Sequence, residues 1–176
     1  MFLTARSPER ETLFKWVGPI ADVSMGLYAK SGRSISVNKL DDARKYLVGV
    51  QRDGYTMQFL AEQGFKKLDP SAQPIPNLRK LLAGRNDLWF SNNAVVASNL
   101  NKLGKDESAI TLVFEVSETS VYIAFNKDTS DEVINRWQAA LDQLVQEGAV
   151  WKTLSDRALT TVFPKAFQRM ANPNPK

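Results

Sequence analysis

Neither cysteine nor histidine occurs among the 176 residues of this chain. Those two gaps exclude disulfide bonds, thiol nucleophiles and histidine-based triads, and they leave zinc without its usual ligands. The absence of cysteine also suits an oxidising compartment. No apolar run approaches the roughly 20 residues that a membrane-spanning helix requires. The opening Met1 to Arg10 has neither a hydrophobic segment nor a small-residue cleavage pattern, so no signal peptide is read there. Internal repeats, low-complexity segments, a nucleophile elbow and a P-loop pattern are missing as well. The net charge is only +4, and its lysines and arginines are scattered, which points to solubility and away from nucleic acid. With 43% hydrophobic residues the chain can still build the core of one ordinary domain or two small lobes.

The most informative stretch is 40–60. Leu47, Val48 and Val50 form a short, β-branched apolar run that reads as a strand of the parallel type. Arg52-Asp53-Gly54 breaks it, and Tyr55 to Gln63 has helical spacing that ends at Gly64. A strand that turns through glycine into a helix aims free backbone N–H groups and a positive dipole end at one point. Such a point holds an anion, often a carboxylate. The alternative is an ordinary βα turn of an α/β domain.

Before this stretch, Pro8 opens a turn with Glu9 and Arg10 just inside it. Phe14 to Ile20 reads as an apolar loop broken by Gly18-Pro19, and Val23 to Ala29 as a strand. Asn38 is placed to cap a short helix, with Asp41 three residues on. After it, Phe65 to Leu68 reads as an edge strand and the proline-rich Asp69 to Pro76 as a loop. A two-turn helix over Asn77 to Ala83 follows, then a strand over Asp87 to Phe90. Ser91-Asn92-Asn93 caps a helix that runs to about Leu103. Ile110 to Val116 and Val121 to Phe125 have β character. The longest helix opens at Thr129, with Glu132 at the capping-box position and a broad apolar stripe from Val133 to Val145. Gly148 interrupts it, an amphipathic turn follows, and 160–176 ends as a frayed tail. The alternation of helices and strands is that of an α/β sheet. Trp16, Tyr28, Trp89, Phe90 and Tyr122 are expected in the core, and Asp41-Asp42 is expected as an acidic pair at a helix start.

Five segments together carry a resemblance: Ser7-Pro-Glu-Arg10; Ser36 to Leu40 with Asp41-Asp42; Val48-Gly-Val-Gln51 with Gly54; Leu81 to Asp87; and Val121 to Lys127 before the long helix. In this order and spacing, over residues 3 to about 155, the sequence resembles the type II periplasmic solute-binding proteins that serve amino-acid ABC importers. The resemblance implies an α/β fold of two lobes that close on a solute about two crossing strands. It assigns 1–32 and 117–176 to a partial lobe 1 with C-terminal helices, and 33–116 to lobe 2. It further implies that the family's first strand–helix–strand region lies before Met1, leaving lobe 1 incomplete at its N-terminus.

The resemblance also assigns site residues. The carboxylate-clamping Arg falls on Arg10, a side chain suited to a bidentate, charge-assisted contact. The small or hydroxyl residue five positions earlier, which meets the same carboxylate, is Ala5, with Thr4 or Arg6 placed to compensate. The turn whose backbone meets the carboxylate falls on Gly54, Tyr55 and Thr56, and Asp53 beside it repels an anion unless it points away. The acid that pairs with the ligand's ammonium falls on Asn92, which brings an acceptor oxygen but no charge. Ser91-Asn92-Asn93 is equally explained as a helix cap.

Three functions remain open on the sequence: a non-catalytic receptor for an amino-acid-like solute, a fold that keeps its shape as an interaction module without ligand, and a lyase-like enzyme. The first is favoured, with no cofactor or metal, an ABC permease as partner, no nucleic acid, and a periplasmic location implied by the resemblance alone. An incomplete lobe 1 exposes sheet edge and apolar surface, so a homodimer through that edge is expected.

Overall fold

The computed structural model describes residues 1–6, 10–157, 159, 162, 164, 165 and 167. The chain divides into two compact units, Met1–Val23 with Glu118–Lys176, and Ser24–Ser117. Six strands, β1 (Phe2–Ala5), β2 (Phe14–Lys30), β3 (Val48–Gln51), β4 (Leu68–Ser71), β5 (Leu88–Asn92) and β6 (Ile110–Asn126), are hydrogen-bonded in the order β1-β6-β2-β5-β3-β4. Five helices accompany them: α1 (Tyr55–Glu62), α2 (Pro74–Leu82), α3 (Asn93–Lys102), α4 (Asp131–Gln146) and α5 (Ala149–Asp156). The chain passes from one unit to the other within β2 and again at β6.

In the second unit, β3 runs parallel to both β4 and β5, and β5 is antiparallel to the C-terminal half of β2. Successive side chains of these strands go to opposite faces, and both faces are buried. Leu27, Ala29, Val48, Val50, Leu88 and Phe90 share one core with Leu60 of α1. Tyr28 and Trp89 face the other way, into a core with Leu78 and Leu81 of α2 and Val96 and Leu100 of α3. Burial on both faces is why these strands are continuous apolar runs without polar alternation. The fold in this unit is doubly wound α/β: β3–α1–β4 proceeds to one side of β3, and β4–α2–β5 returns to the other.

Gly49 is a point of close approach between β3 and its covering layer. A Cβ there would lie 2.6 Å from Asn86 Nδ2 and 3.1 Å from Asn77 Oδ1. Asn77, on α2, donates from Nδ2 to the carbonyl of Val50 at 2.8 Å, tying the helix to the strand. Asn86 is 1% exposed, and neither its amide nitrogen nor its oxygen has a partner among the described residues.

In the first unit, β1 pairs antiparallel with β6, with Phe2 opposite Ala124 and Ala5 opposite Val121. Helix α4 is pinned to the start of β2 by Lys15 Nζ, which donates to the carbonyl of Thr129 at 2.7 Å and to Asp131 at 2.5 Å. The Gly18 N–H adds a bond to Gln138 at 2.9 Å. Leu141 and Val145 of α4 pack with Val150 and Leu154 of α5 and with Phe167.

Several sequence expectations change. Phe14 to Ile20 is the first part of β2 and not a loop: the strand runs from Phe14 to Lys30 through Gly18-Pro19. Ile110–Asn126 is one strand where two were expected. The proline-rich Asp69 to Pro76 is the end of β4 plus the start of α2. Pro70 is tolerated because β4 is an edge strand, and Pro74 because a first helical position needs no N–H. The 3-10 turn Leu40–Lys45 is entered through Lys39, not Asn38; Asp42, not Asp41, accepts from the backbone N–H groups of Asn38 and Lys39. The cap of α4 is Ser130, not Thr129. Of the five aromatic residues expected inside, Tyr28, Trp89 and Phe90 are buried, whereas Trp16 and Tyr122 are half-buried. The turn around Pro8 and Glu9, and most of the expected tail, lie outside the described residues.

Candidate functional site

In an open parallel sheet, ligands collect outside the carboxyl ends of the strands, where the connections diverge to opposite sides. Here that point falls between β3 and β5, and two helix N-termini flank it: α1, which follows β3, and α3, which follows β5. They differ in one decisive respect.

The N-terminus of α3 is closed. Asn92 Oδ1 accepts from the Val95 N–H at 2.8 Å, and Asn93 Oδ1 accepts from Ala94 at 2.9 Å and from Ser24 at 3.2 Å. The N-terminus of α1 is open. Its N-cap is Gly54, in extended conformation at φ −111° and ψ 169°, with no capping side chain and no acidic residue in the first turn. The first N–H groups of the helix, on Tyr55 and Thr56, therefore point outward with the positive end of the helix dipole.

Local bonds hold this turn in place. The Arg52 N–H donates to Ser71 at 2.9 Å, and Thr56 Oγ1 accepts from Gln51 at 3.0 Å, which leaves the threonine its own O–H as a donor. Asp53 sits at φ 54°, a left-handed conformation that Asp tolerates, and it is exposed, so solvent screens its charge. Tyr55 is 63% exposed and stacks on Phe59 at 5.6 Å, which in turn stacks on buried Phe90 at 5.6 Å. An aromatic face therefore stands beside two N–H donors that have no partner among the described residues. The sequence reading missed that face, although the i,i+4 spacing of Tyr55 and Phe59 on one helix signals it.

The remaining expected residues lie in the other unit. Ala5 is a strand residue opposite Val121. Arg10 opens a single turn, closed by the Leu13 N–H on its carbonyl, and donates from Nη1 to Thr4 Oγ1 at 2.7 Å. That bond uses one of five guanidinium donors. Arg6 is committed elsewhere. It forms a two-point pair with Glu11 and lies 5.8 Å from the Trp16 ring centroid and 5.3 Å from that of Tyr122. The bond to Glu11 raises the Arg6 pKa, and the bond to Arg6 lowers the Glu11 pKa. Of the two residues expected to compensate for Ala5, Arg6 is thus unavailable and Thr4 already supports Arg10. Ala5 and Arg10 belong to one unit and Gly54, Tyr55, Thr56 and Asn92 to the other.

Among the described residues no group of three His, Cys, Asp or Glu side chains is placed to hold a metal ion, and no helix is long and apolar enough to cross a membrane.

No protein-family model and no curated protein matches the sequence. Solved structures do. A histidine kinase sensor domain with similarity to periplasmic binding proteins is 22% identical, with a TM-score of 0.57, over 92% of this chain and 70% of that one. The second substrate-binding domain of an amino-acid ABC transporter from Streptococcus pneumoniae is 18% identical, with a TM-score of 0.60, over 89% and 70%. An ancestral cationic amino acid solute-binding protein is 17% identical, with a TM-score of 0.65, over 87% and 66%. The fold is that of the type II periplasmic-binding proteins, and the chain spans about two thirds of the length of these neighbours.

Proposed function

We propose that this chain binds a small polar solute bearing a carboxylate, an amino acid or a close relative, without transforming it. The observation that carries this reading is the open N-terminus of α1 at the divergence of the parallel strands, beside the exposed ring of Tyr55. Two outward N–H groups on a positive dipole end suit a carboxylate better than a neutral solute. Gly54 permits close approach, Tyr55 and Thr56 supply the donors, and the Thr56 O–H adds a third. Asn92 Oδ1 keeps one lone pair beyond its capping bond and is assigned to the ligand's ammonium. Arg10 is assigned as a further carboxylate contact on the chemistry of its guanidinium. The fold shared with amino-acid-binding proteins supports the same ligand class, and import through an ABC permease from a periplasmic location completes the reading.

A second reading has one observation in its favour. Asn92 is accounted for as a helix cap, which is what a protein keeping the fold as an interaction module without ligand would show. Thermal-shift measurement with a panel of L-amino acids, dicarboxylates and polyols separates the two. At 100 times its dissociation constant a ligand stabilises by about 2.7 kcal/mol. Carboxylates are expected to shift the melt and polyols are not, and Arg10→Ala is expected to reduce the shift. A cooperative melt that no compound moves supports the module.

A further inference from the structure

The chain passes between its two units twice, in β2 after Val23 and in β6 after Ser117. The two strands are neighbours in the sheet, and Ser120 Oγ of β6 donates to Asp22 of β2 at 2.6 Å, so the passages lie side by side. Asp22 is 8% exposed, and its other oxygen accepts the backbone N–H of Lys165 at 2.7 Å. The Lys165 ammonium lies 2.6 Å and 2.7 Å from the two carboxylate oxygens of Glu118. Lys165 thus holds β2 through its main chain and β6 through its side chain, in each case within two residues of a passage. It is fixed from the far side as well. Phe167 donates its N–H to the Pro164 carbonyl at 2.9 Å and packs with Leu141 and Val145 of α4. Ser117, Glu118 and Thr119 are exposed, and Pro19, Asp22, Glu118, Ser120 and Lys165 border an open depression of about 330 Å³. Solvent more than apolar packing surrounds the β6 passage, which is the character of a segment of low local stability.

We propose that Lys165 is a clasp across the two passages, and that its ion pair with Glu118 limits how far one unit moves against the other. Two segments join the units, so any such motion is absorbed by backbone rotations close to residues 22–24 and 117–119. The two halves of the clasp differ in strength. Asp22 is buried with a donor on each oxygen, and parting from either leaves a buried charge undersatisfied, so this half stays closed. The pair of Glu118 with the Lys165 ammonium is exposed, at 34% and 64%, and an exposed pair is weak and screened by salt. That half is the one that opens. Its release frees β6 beside its passage while Lys165 remains on β2, so the units gain freedom and neither loses its core.

The absence of cysteine lets two spin labels be placed cleanly, at Asn135→Cys in the first unit and Lys66→Cys in the second, both exposed positions. Pulsed electron–electron double resonance then reads the distribution of distances between the units, with no ligand needed. Lys165→Met keeps the backbone N–H on Asp22 and removes the ammonium; Glu118→Gln removes the opposite charge. Each is expected to raise the population outside the parent's main distance range by about twofold to fivefold, the span that an exposed ion pair supports, with an unchanged melt. The double variant is expected to match the single ones, because both remove one interaction. Molar salt is expected to broaden the parent distribution and to leave the variants as they are. Folded variants with the parent's distribution, effects that add in the double variant, or a parent that salt does not change would overturn the proposal.

Discussion

Replacing Gly49 by Ala tests a close approach in the second unit. The backbone at Gly49 does not have positive φ, so the substitution carries no conformational strain and reduces unfolded-state entropy, worth about 0.4–1 kcal/mol in favour of folding. Against this, the new Cβ meets Asn86 Nδ2 at 2.6 Å and Asn77 Oδ1 at 3.1 Å, and both side chains are 1% exposed. Overpacking a tight core costs about 1–3 kcal/mol. If Asn77 yields, its bond to the Val50 carbonyl weakens, at about 0.5–1.5 kcal/mol. The expected net loss is about 2 kcal/mol, a fall in Tm of roughly 4–8 °C for a chain of this size. Urea unfolding followed by far-UV circular dichroism measures it through the midpoint at constant slope. Asn86→Ala in the same background removes the clashing amide, so the double variant should recover at least half the loss, a coupling that a cycle of four proteins reads directly. A Gly49→Ala protein as stable as the parent, or more stable, would refute this packing.

Two further predictions concern single side chains. Asn92→Ala removes the cap of α3 and is expected to cost about 1 kcal/mol in urea unfolding, whereas Asn92→Asp retains the cap. Burial pushes the Tyr28 hydroxyl up to about 12, against the smaller effect of its bond to Ser24. The unfolded chain therefore releases this proton near pH 10 and the folded chain does not, so stability falls as pH rises from about 10 to 12. Melting curves over that range should show the fall, and Tyr28→Phe should remove this component.

The second unit was legible because its local patterns and its tertiary contacts agree. The run Leu47 to Val50, the break at Asp53-Gly54 and the helix from Tyr55 all appear where hydrophobic period and turn chemistry put them. Two of the misreadings share a cause: proline and glycine read as breaks, although their positions made them harmless. Pro70 is on an outer strand and Pro74 at a helix start, and Gly18-Pro19 sits inside a strand that runs from Phe14 to Lys30. The site was half legible. The open end of α1 follows from local sequence, because no capping residue precedes Tyr55. Whether a side chain is already committed depends on partners that spacing alone does not identify, as with Arg6 bound to Glu11 and over Tyr122, or Ser24 reaching Asn93 across 69 positions. The pairing of Asn92 with Val95 is local and was offset only by the role that the resemblance assigned to it.

The most direct test of the account is isothermal titration of the amino acid giving the largest thermal shift into two variants, Tyr55→Ala and Tyr55→Pro. Both remove the ring. Only proline also removes the first N–H of α1, and it fits there because a first helical position accepts proline and Gly54 before it is already extended. A charge-assisted bond of about 1.5–3 kcal/mol corresponds to a loss of roughly tenfold or more for Tyr55→Pro relative to Tyr55→Ala. Equal affinities, with both proteins folded, would contradict the claim that the open end of α1 holds the ligand's carboxylate.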